Sequence, residues 1–202
     1  DFATVLRSCL RQDPDVLLVG EIRDLETAEI ALRASMTGHF VLSSLHTNDA
    51  ISSAMRLIDI GIEGYLVAAA LRGVLAQRLV RKVCEHCKTD YLPTPQEQAW
   101  LQVKCQDQST ANSTFKYGSG CTSCNNTGYT GRVGIFELLE INETMADALR
   151  ANDSGAFAHA TIASDSYQPL VFSALEKAAK GITSLEEVFR VTEQLEELGE
   201  SD

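Results

Sequence analysis

Apolar residues recur along this chain first at helical spacing and then in short continuous runs, and the alternation of the two sets out its first third. Residues 2 to 11 place Phe2, Val5, Leu6 and Cys9 on one helical face. Asp13-Pro14 then stops the helix, because a residue before proline is pushed out of the α region. Val16 to Val19 is an apolar run without alternation, the pattern of a central parallel strand covered on both faces. Asp24 is placed to cap a following helix, with Glu26 in its first turn and Leu25, Ala28, Ala31 and Leu32 on one side. Phe40 to Leu45 reads as the next strand and Asn48 to Ile60 as the next helix, ended by Gly61. This order is that of a three-layer α/β domain. Tyr65 to Val83 reads as one long helix, with Leu71, Val74, Leu75 and Leu79 inward and Arg72, Arg78, Arg81 and Lys82 on a solvated or intersubunit face.

From Cys84 to about Glu140 the pattern gives way to turn residues, short apolar stretches and paired cysteines, the texture of a separate module. Within it, residues 93 to 120 predict loops around a short helix near Ala99 to Val103. Helical patterns return at Thr144 to Arg150, Leu170 to Lys180 and Ser184 to about Leu198. The last begins with two overlapping capping-box spacings, Thr183 with Glu186 and Ser184 with Glu187, so its first residue is ambiguous. The acidic tail from Glu196 is expected to fray.

Composition narrows the function classes. The 202 residues are 45% hydrophobic, enough for one buried domain and a smaller module. A formal net charge of -11 argues against a nucleic-acid partner, which requires a basic surface. No apolar run approaches 18 residues and the N-terminus has no signal-peptide pattern, so a cytosolic location is expected, with membrane contact indirect.

Two motif groups carry chemistry. Cys84-Glu-His-Cys87 and Cys121-Thr-Ser-Cys124 can supply four thiolates to a tetrahedral zinc, a closed and therefore structural site. The bland alternative is free thiols or a redox pair; His86 is left out because four cysteines fill the shell. Cys9 and Cys105 read as small apolar residues. The second group is the strand ending Val-Gly-Glu-Ile-Arg-Asp, which delivers Glu21 at its C-terminal end, followed by a run with His39 and His46 near its ends. Glu21 can instead be a capping or salt-bridged surface residue beside Arg23, and each histidine a hydrogen-bonded structural residue. No Gly-x-x-x-x-Gly-Lys-[Ser/Thr] phosphate loop occurs.

These residues resemble the Walker B and histidine boxes of the secretion ATPases, the motors of type II secretion and type IV pilus assembly. The tetracysteine pair, its flanks Gln77 to Cys84 and Gly128 to Glu137, and Gly181 to Val188 extend the resemblance from Phe2 to about Thr192. It implies part of a RecA-like P-loop ATPase core over residues 1–83, a tetracysteine zinc module over 84–140 and a C-terminal helical subdomain with acidic tail over 141–202. It implies ATP and Mg²⁺ as ligands of the parent, with the phosphate loop upstream of these residues, and so a chain that alone neither hydrolyses ATP nor binds it tightly. Glu21 would act on the Mg²⁺ shell or the attacking water and His46 near the γ-phosphate, with Gly20, Arg23 and His39 also at the nucleotide. The expected assembly is a homo-hexamer at the inner-membrane face of a Gram-negative cell, working with an inner-membrane platform protein and cytoplasmic assembly proteins. Within the family the motifs look most like extension motors of type II secretion and of mannose-sensitive haemagglutinin-type pili. The competing class is a zinc-containing interaction module without motor activity.

Overall fold

The computed structural model describes residues 2–105 and 113–199. Residues 106–112, expected to be loop, and 200–202, in the tail expected to fray, lie outside them. The chain forms two compact units, residues 1–75 with 138–167 and residues 76–137 with 168–202.

The first unit is built on a parallel strand pair. Strands β1 (Val16–Val19) and β2 (Phe40–Ser43) align Val16 with Phe40 and Val19 with Ser43. Their crossover is helix α2 (Leu25–Met36), started as expected by Asp24, whose carboxylate accepts from the Thr27 N–H at 2.8 Å. Helix α1 (Phe2–Cys9) packs against α2, burying Ala3 and Leu6. Helix α3 (Ala50–Asp59) follows β2, with Asp49 and Ser52 closing a capping box. Helices α4 (Gly64–Ala70), α6 (Glu143–Arg150) and α7 (Ser154–Ile162) pack in series beside them.

Two expectations fail here for stated reasons. Leu17 and Val19 are buried, but Val16 is 58% and Leu18 78% exposed. The elements of this chain therefore cover one face of β1 and not both. The helix anticipated over 65–83 ends at Ala70; Leu71 is extended (ψ 123°), and residues Gly73–Val83 form strand β3. Leu75 and Leu79 mimic a helical i, i+4 pair, yet strand alternation exposes them while Val80, on the other face, is buried. Gly73 weakens helix propagation, and the β-branched Val74, Val80 and Val83 favour an extended chain.

The second unit contains most of β3, paired with β6 (Tyr129–Glu140). Strands β4 (Lys88–Tyr91) and β5 (Phe115–Gly118) form an antiparallel hairpin-like pair, Lys88 opposite Gly118. Helix α5 (Pro95–Lys104) starts with a Thr94/Glu97 capping box and Pro95 in its first turn. Helices α8 (Leu170–Ala179) and α9 (Leu185–Gly199) complete a core in which Leu101, Phe115, Ile135, Leu170, Leu175 and Val188 are fully enclosed. Residues 141–202 thus divide between units: α6 and α7 lie in the first, α8 and α9 in the second.

Glu187, at the start of α9, has no side-chain exposure and accepts four hydrogen bonds: Arg81 N–H (2.6 Å), Arg81 Nε (2.8 Å), Arg190 Nε (2.8 Å) and Arg190 Nη2 (2.9 Å). Arg81, anticipated on a solvated face, is instead the clamp between β3 and α9. Ser184 is the residue that caps α9, its hydroxyl accepting from the Glu187 N–H at 3.3 Å, which resolves the overlapping capping boxes. Burial alone would raise the Glu187 carboxyl, but the Arg190 and Arg81 donors outweigh it and bring it down to about 2. Because the folded value lies below the unfolded one of roughly 4.3, the stabilisation is complete above that pH and is lost as pH falls through the interval toward 2. Glu187→Ala is expected to lower stability by about 2–4 kcal/mol, below the extreme for a buried pair because both arginines are about 40% exposed. Thermal unfolding at pH 7 checks this, and the gap between variant and parent should narrow below pH 4.

Candidate functional site

Parallel strands joined by a right-handed crossover present their C-terminal ends on one edge, where open α/β sheets bind ligands. The sequence places Gly20-Glu21-Ile22 just past β1 and Ser44-Leu45-His46 just past β2, and the two loops are tied together. The Ser44 hydroxyl donates to the Gly20 carbonyl at 2.6 Å, and the Ile22 N–H donates to the Ser44 carbonyl at 3.1 Å. This brings His46 Nε2 within 3.0 Å of Glu21 Oε2, while Arg23 Nη2 stands 2.7 Å from Oε1. The Arg23 hydrogen bond first, and the His46 bond second, hold the Glu21 carboxyl below the usual glutamate range. Glu21 is therefore ionised at neutral pH and acceptor-only, so His46 Nε2 carries the donated proton. Glu21 is thus salt-bridged to Arg23 and stands at the strand-end edge beside His46.

A cleft of about 370 Å³ opens beside this pair, lined by Ile22, Arg23, Leu45, His46 and Arg56. His39 is elsewhere. It precedes β2, at the opposite end of the strand, and its Nδ1–H donates to the Ala34 carbonyl at 3.0 Å with the Thr37 hydroxyl 3.2 Å away. That makes His39 a closing residue for the end of α2. Sequence reading had passed over Arg56 altogether, because a lone arginine in an amphipathic helix carries no local signal of what stands opposite it.

The four cysteines converge in the second unit, with all four Sγ atoms within 4.8 Å of one another. Cys84 and Cys121 are 3.9 Å apart, Cys87 and Cys124 3.9 Å, and Cys121 and Cys124 3.7 Å. A tetrahedron of thiolates about 2.3 Å from a central ion has edges of roughly 3.8 Å, so the group fits a four-coordinate metal. Turn geometry supplies the electrostatics. Asn125 and Asn126 adopt left-handed conformations, and Gly128, at φ 77°, sends its N–H to Cys124 Sγ at 3.3 Å alongside that of Cys121 at 3.2 Å. Burial would raise the Cys124 thiol, but these N–H groups bring it down to about 6; Cys87 is pushed up to about 12 by burial and its sulfur neighbours. His86 is exposed, and among the described residues it contributes no ring to the cluster. Cys105 packs partly against the second unit's core, whereas Cys9 is exposed rather than an interior residue.

Comparison with known proteins matches this chain to one family. Residues 1–190 match the family model described as "Type II/IV secretion system protein". The type II secretion system ATPase E of Vibrio cholerae serotype O1 is 46% identical over 196 residues, 96% of this chain and 37% of that protein. The type IV pilus assembly ATPase PilB of Thermus thermophilus is 44% identical over 191 residues, 95% of this chain and 21% of the relative. Among solved structures, the pilus retraction motor PilT with bound ADP aligns with a TM-score of 0.62 at 28% identity, covering 95% of this chain and 43% of that one. The ATPase DotB of Legionella pneumophila, at 22% identity and a TM-score of 0.66, has the same fold. The chain spans well under half the length of these proteins, and among its described residues no helix is long and apolar enough to cross a membrane. With a family model matching nearly its whole length, the chain belongs to the type II/IV secretion system protein family.

Proposed function

We propose that this chain carries the acid and histidine side of a nucleotide-hydrolysing site, together with a structural zinc module, of an ATPase that powers type II secretion or type IV pilus assembly. The observation that carries the reading is the Glu21–His46 hydrogen bond, 3.0 Å long, at the C-terminal edge of a parallel strand pair and at the mouth of a cleft. Phosphoryl transfer to water needs positioning and a held charge distribution more than covalent chemistry. An ionised Glu21 accepts a proton or a hydrogen bond from an attacking water, or from water on a metal shell. Arg23 fixes the direction of the carboxylate, and His46, bonded to it, reports a change at the phosphate to the loop after β2. Mg²⁺, when bound with nucleotide, supplies charge neutralisation between the phosphates. Gly20, which leaves open space where a side chain would be, keeps the approach to this edge clear. His39 is assigned the structural role its bonds give it.

Zinc is the metal that suits four thiolates at these spacings, and the closed shell makes it a crosslink between the Cys84–Cys87 and Cys121–Cys124 turns. A homo-hexameric ring working on an inner-membrane platform protein and cytoplasmic assembly proteins, from the cytoplasmic side of a Gram-negative inner membrane, completes the proposal. Service to a mannose-sensitive haemagglutinin-type pilus is its narrowest form.

Two outcomes follow. Elemental analysis of the purified chain should give about one zinc per chain, and chelation should expose four further reactive thiols and lower the unfolding temperature; Cys124→Ser should lose the metal. In a polypeptide joining this chain to the upstream segment of its relatives, Glu21→Gln should cut ATP turnover by about 10²-fold or more with nucleotide affinity nearly unchanged. Undiminished turnover in that variant would remove Glu21 from the catalytic role, and no turnover by the unsubstituted polypeptide would favour the interaction-module reading.

A further inference from the structure

Among the described residues of the first unit, three polar side chains are buried: Thr27, Ser53 and Thr161. Thr27 bonds the cap residue Asp24, and Thr161 bonds the Phe157 carbonyl one turn back in its own helix. Ser53, 4% exposed in the first turn of α3, reaches beyond its cap. Its hydroxyl donates to the Asp49 carbonyl at 2.7 Å, so its single proton is committed and it accepts from the Thr47 hydroxyl, 2.5 Å away. The acceptor end of this chain is firm, because Asp49 also closes the capping box with Ser52. Thr47 is the residue after His46. The loop from β2 to α3 is thus tied at both ends, by the Ser44 hydroxyl on the Gly20 carbonyl and by Thr47 on Ser53, with His46 between the ties.

The position of these ties matters because the imidazole is not packed into place. The His46 side chain is 83% exposed, and a hydrogen-bonded pair so open to water contributes little against the rotamer freedom it costs. The pair forms only if the backbone already stands in position. A buried hydroxyl chain supplies that order, since breaking it leaves polar groups unsatisfied where water does not replace the lost bond. We propose that Thr47 and Ser53 are positioning residues of the candidate site, a hydroxyl latch that docks the loop after β2 on α3 and keeps His46 within reach of Glu21. Its consequence for hydrolysis rests on the nucleotide reading; the latch itself does not.

The test follows the Glu21 carboxyl carbon by NMR titration in the 202-residue chain. Arg23 first and His46 second hold that carboxyl low, so displacing His46 should raise its midpoint toward the ordinary value of roughly 4.3. Thr47→Val, which keeps the shape and removes the hydroxyl, should raise it, as should Ser53→Ala and His46→Ala. Thr47→Ser, which keeps the hydroxyl, should retain the parent midpoint. Thr161→Val removes a buried hydroxyl bonded within α7 and should leave the midpoint alone, which controls for general loosening. A parent-like midpoint in Thr47→Val, or an equal rise in Thr161→Val, would overturn the proposal. In the polypeptide joined to the upstream segment, Thr47→Val should turn over ATP about tenfold more slowly with KM within about twofold, and Thr47→Ser should recover the rate. A raised midpoint with undiminished turnover would overturn the latch's part in hydrolysis. No turnover by the unsubstituted polypeptide would fail the nucleotide reading alone and leave the latch to the titration. If Thr47→Val does not fold, Ser53→Ala decides by the same midpoint.

Discussion

Parallel registration of β1 with β2 is the constraint on which the candidate site depends. Strand direction and register together determine which loops share an edge, and here Val19 opposite Ser43 sets the Gly20–Glu21 and Ser44–His46 loops side by side. The Ser44 and Ile22 bonds then extend that pairing past the strand ends, so a carboxylate and an imidazole 25 residues apart meet at 3.0 Å. A slip of one residue would turn every side chain to the other face and destroy the pair. The function proposed for Glu21 is thus a property of strand pairing before it is a property of the glutamate.

The second unit contains a charged clamp and a cysteine cluster that could hold a metal, two constructions of very unequal strength. The Glu187 clamp joins β3 to α9 and is worth a few kcal/mol at most, since desolvation offsets much of what its four hydrogen bonds contribute. A metal bound by four thiolates contributes on the order of 10 kcal/mol in small zinc-folded peptides, comparable to the whole stability of an ordinary domain. The two are linked through the backbone. Arg81 and Val83, just before Cys84, bond to Glu187 and Ile182, and the Cys84 N–H donates to Gly128, whose own N–H reaches Cys124 Sγ. Order at the cysteine turns and order at the start of α9 therefore share one stretch of strand.

Much of this was legible in the residues, and the failures have physical causes. Doubled Cys-x-x-Cys spacing announced the cluster because few other arrangements need it. Asp24 and the overlapping boxes before α9 announced helix starts because caps are local chemistry. β3 was misread because Leu75 and Leu79 satisfy a helical period as well as a strand period, and only pairing with β6, more than 45 residues away, decides between them. Helix α7, with small and mixed side chains from Ser154 to Ile162, has no apolar stripe to read and went unseen. His39 was joined to His46 at the nucleotide only by the family resemblance; the run itself set them near opposite ends, where β2 carries them.

The most direct test of the central claim is the ionisation of Glu21, followed through its carboxyl carbon by NMR titration from pH 2 to 7 in the parent chain and in Arg23→Ala. A carboxylate held and aimed by Arg23 and His46 should titrate below the usual glutamate value of roughly 4.3, and the midpoint should rise when Arg23 is removed. An ordinary midpoint that is indifferent to Arg23 would mean that the carboxylate is free in solution, and the preassembled site described here would not exist.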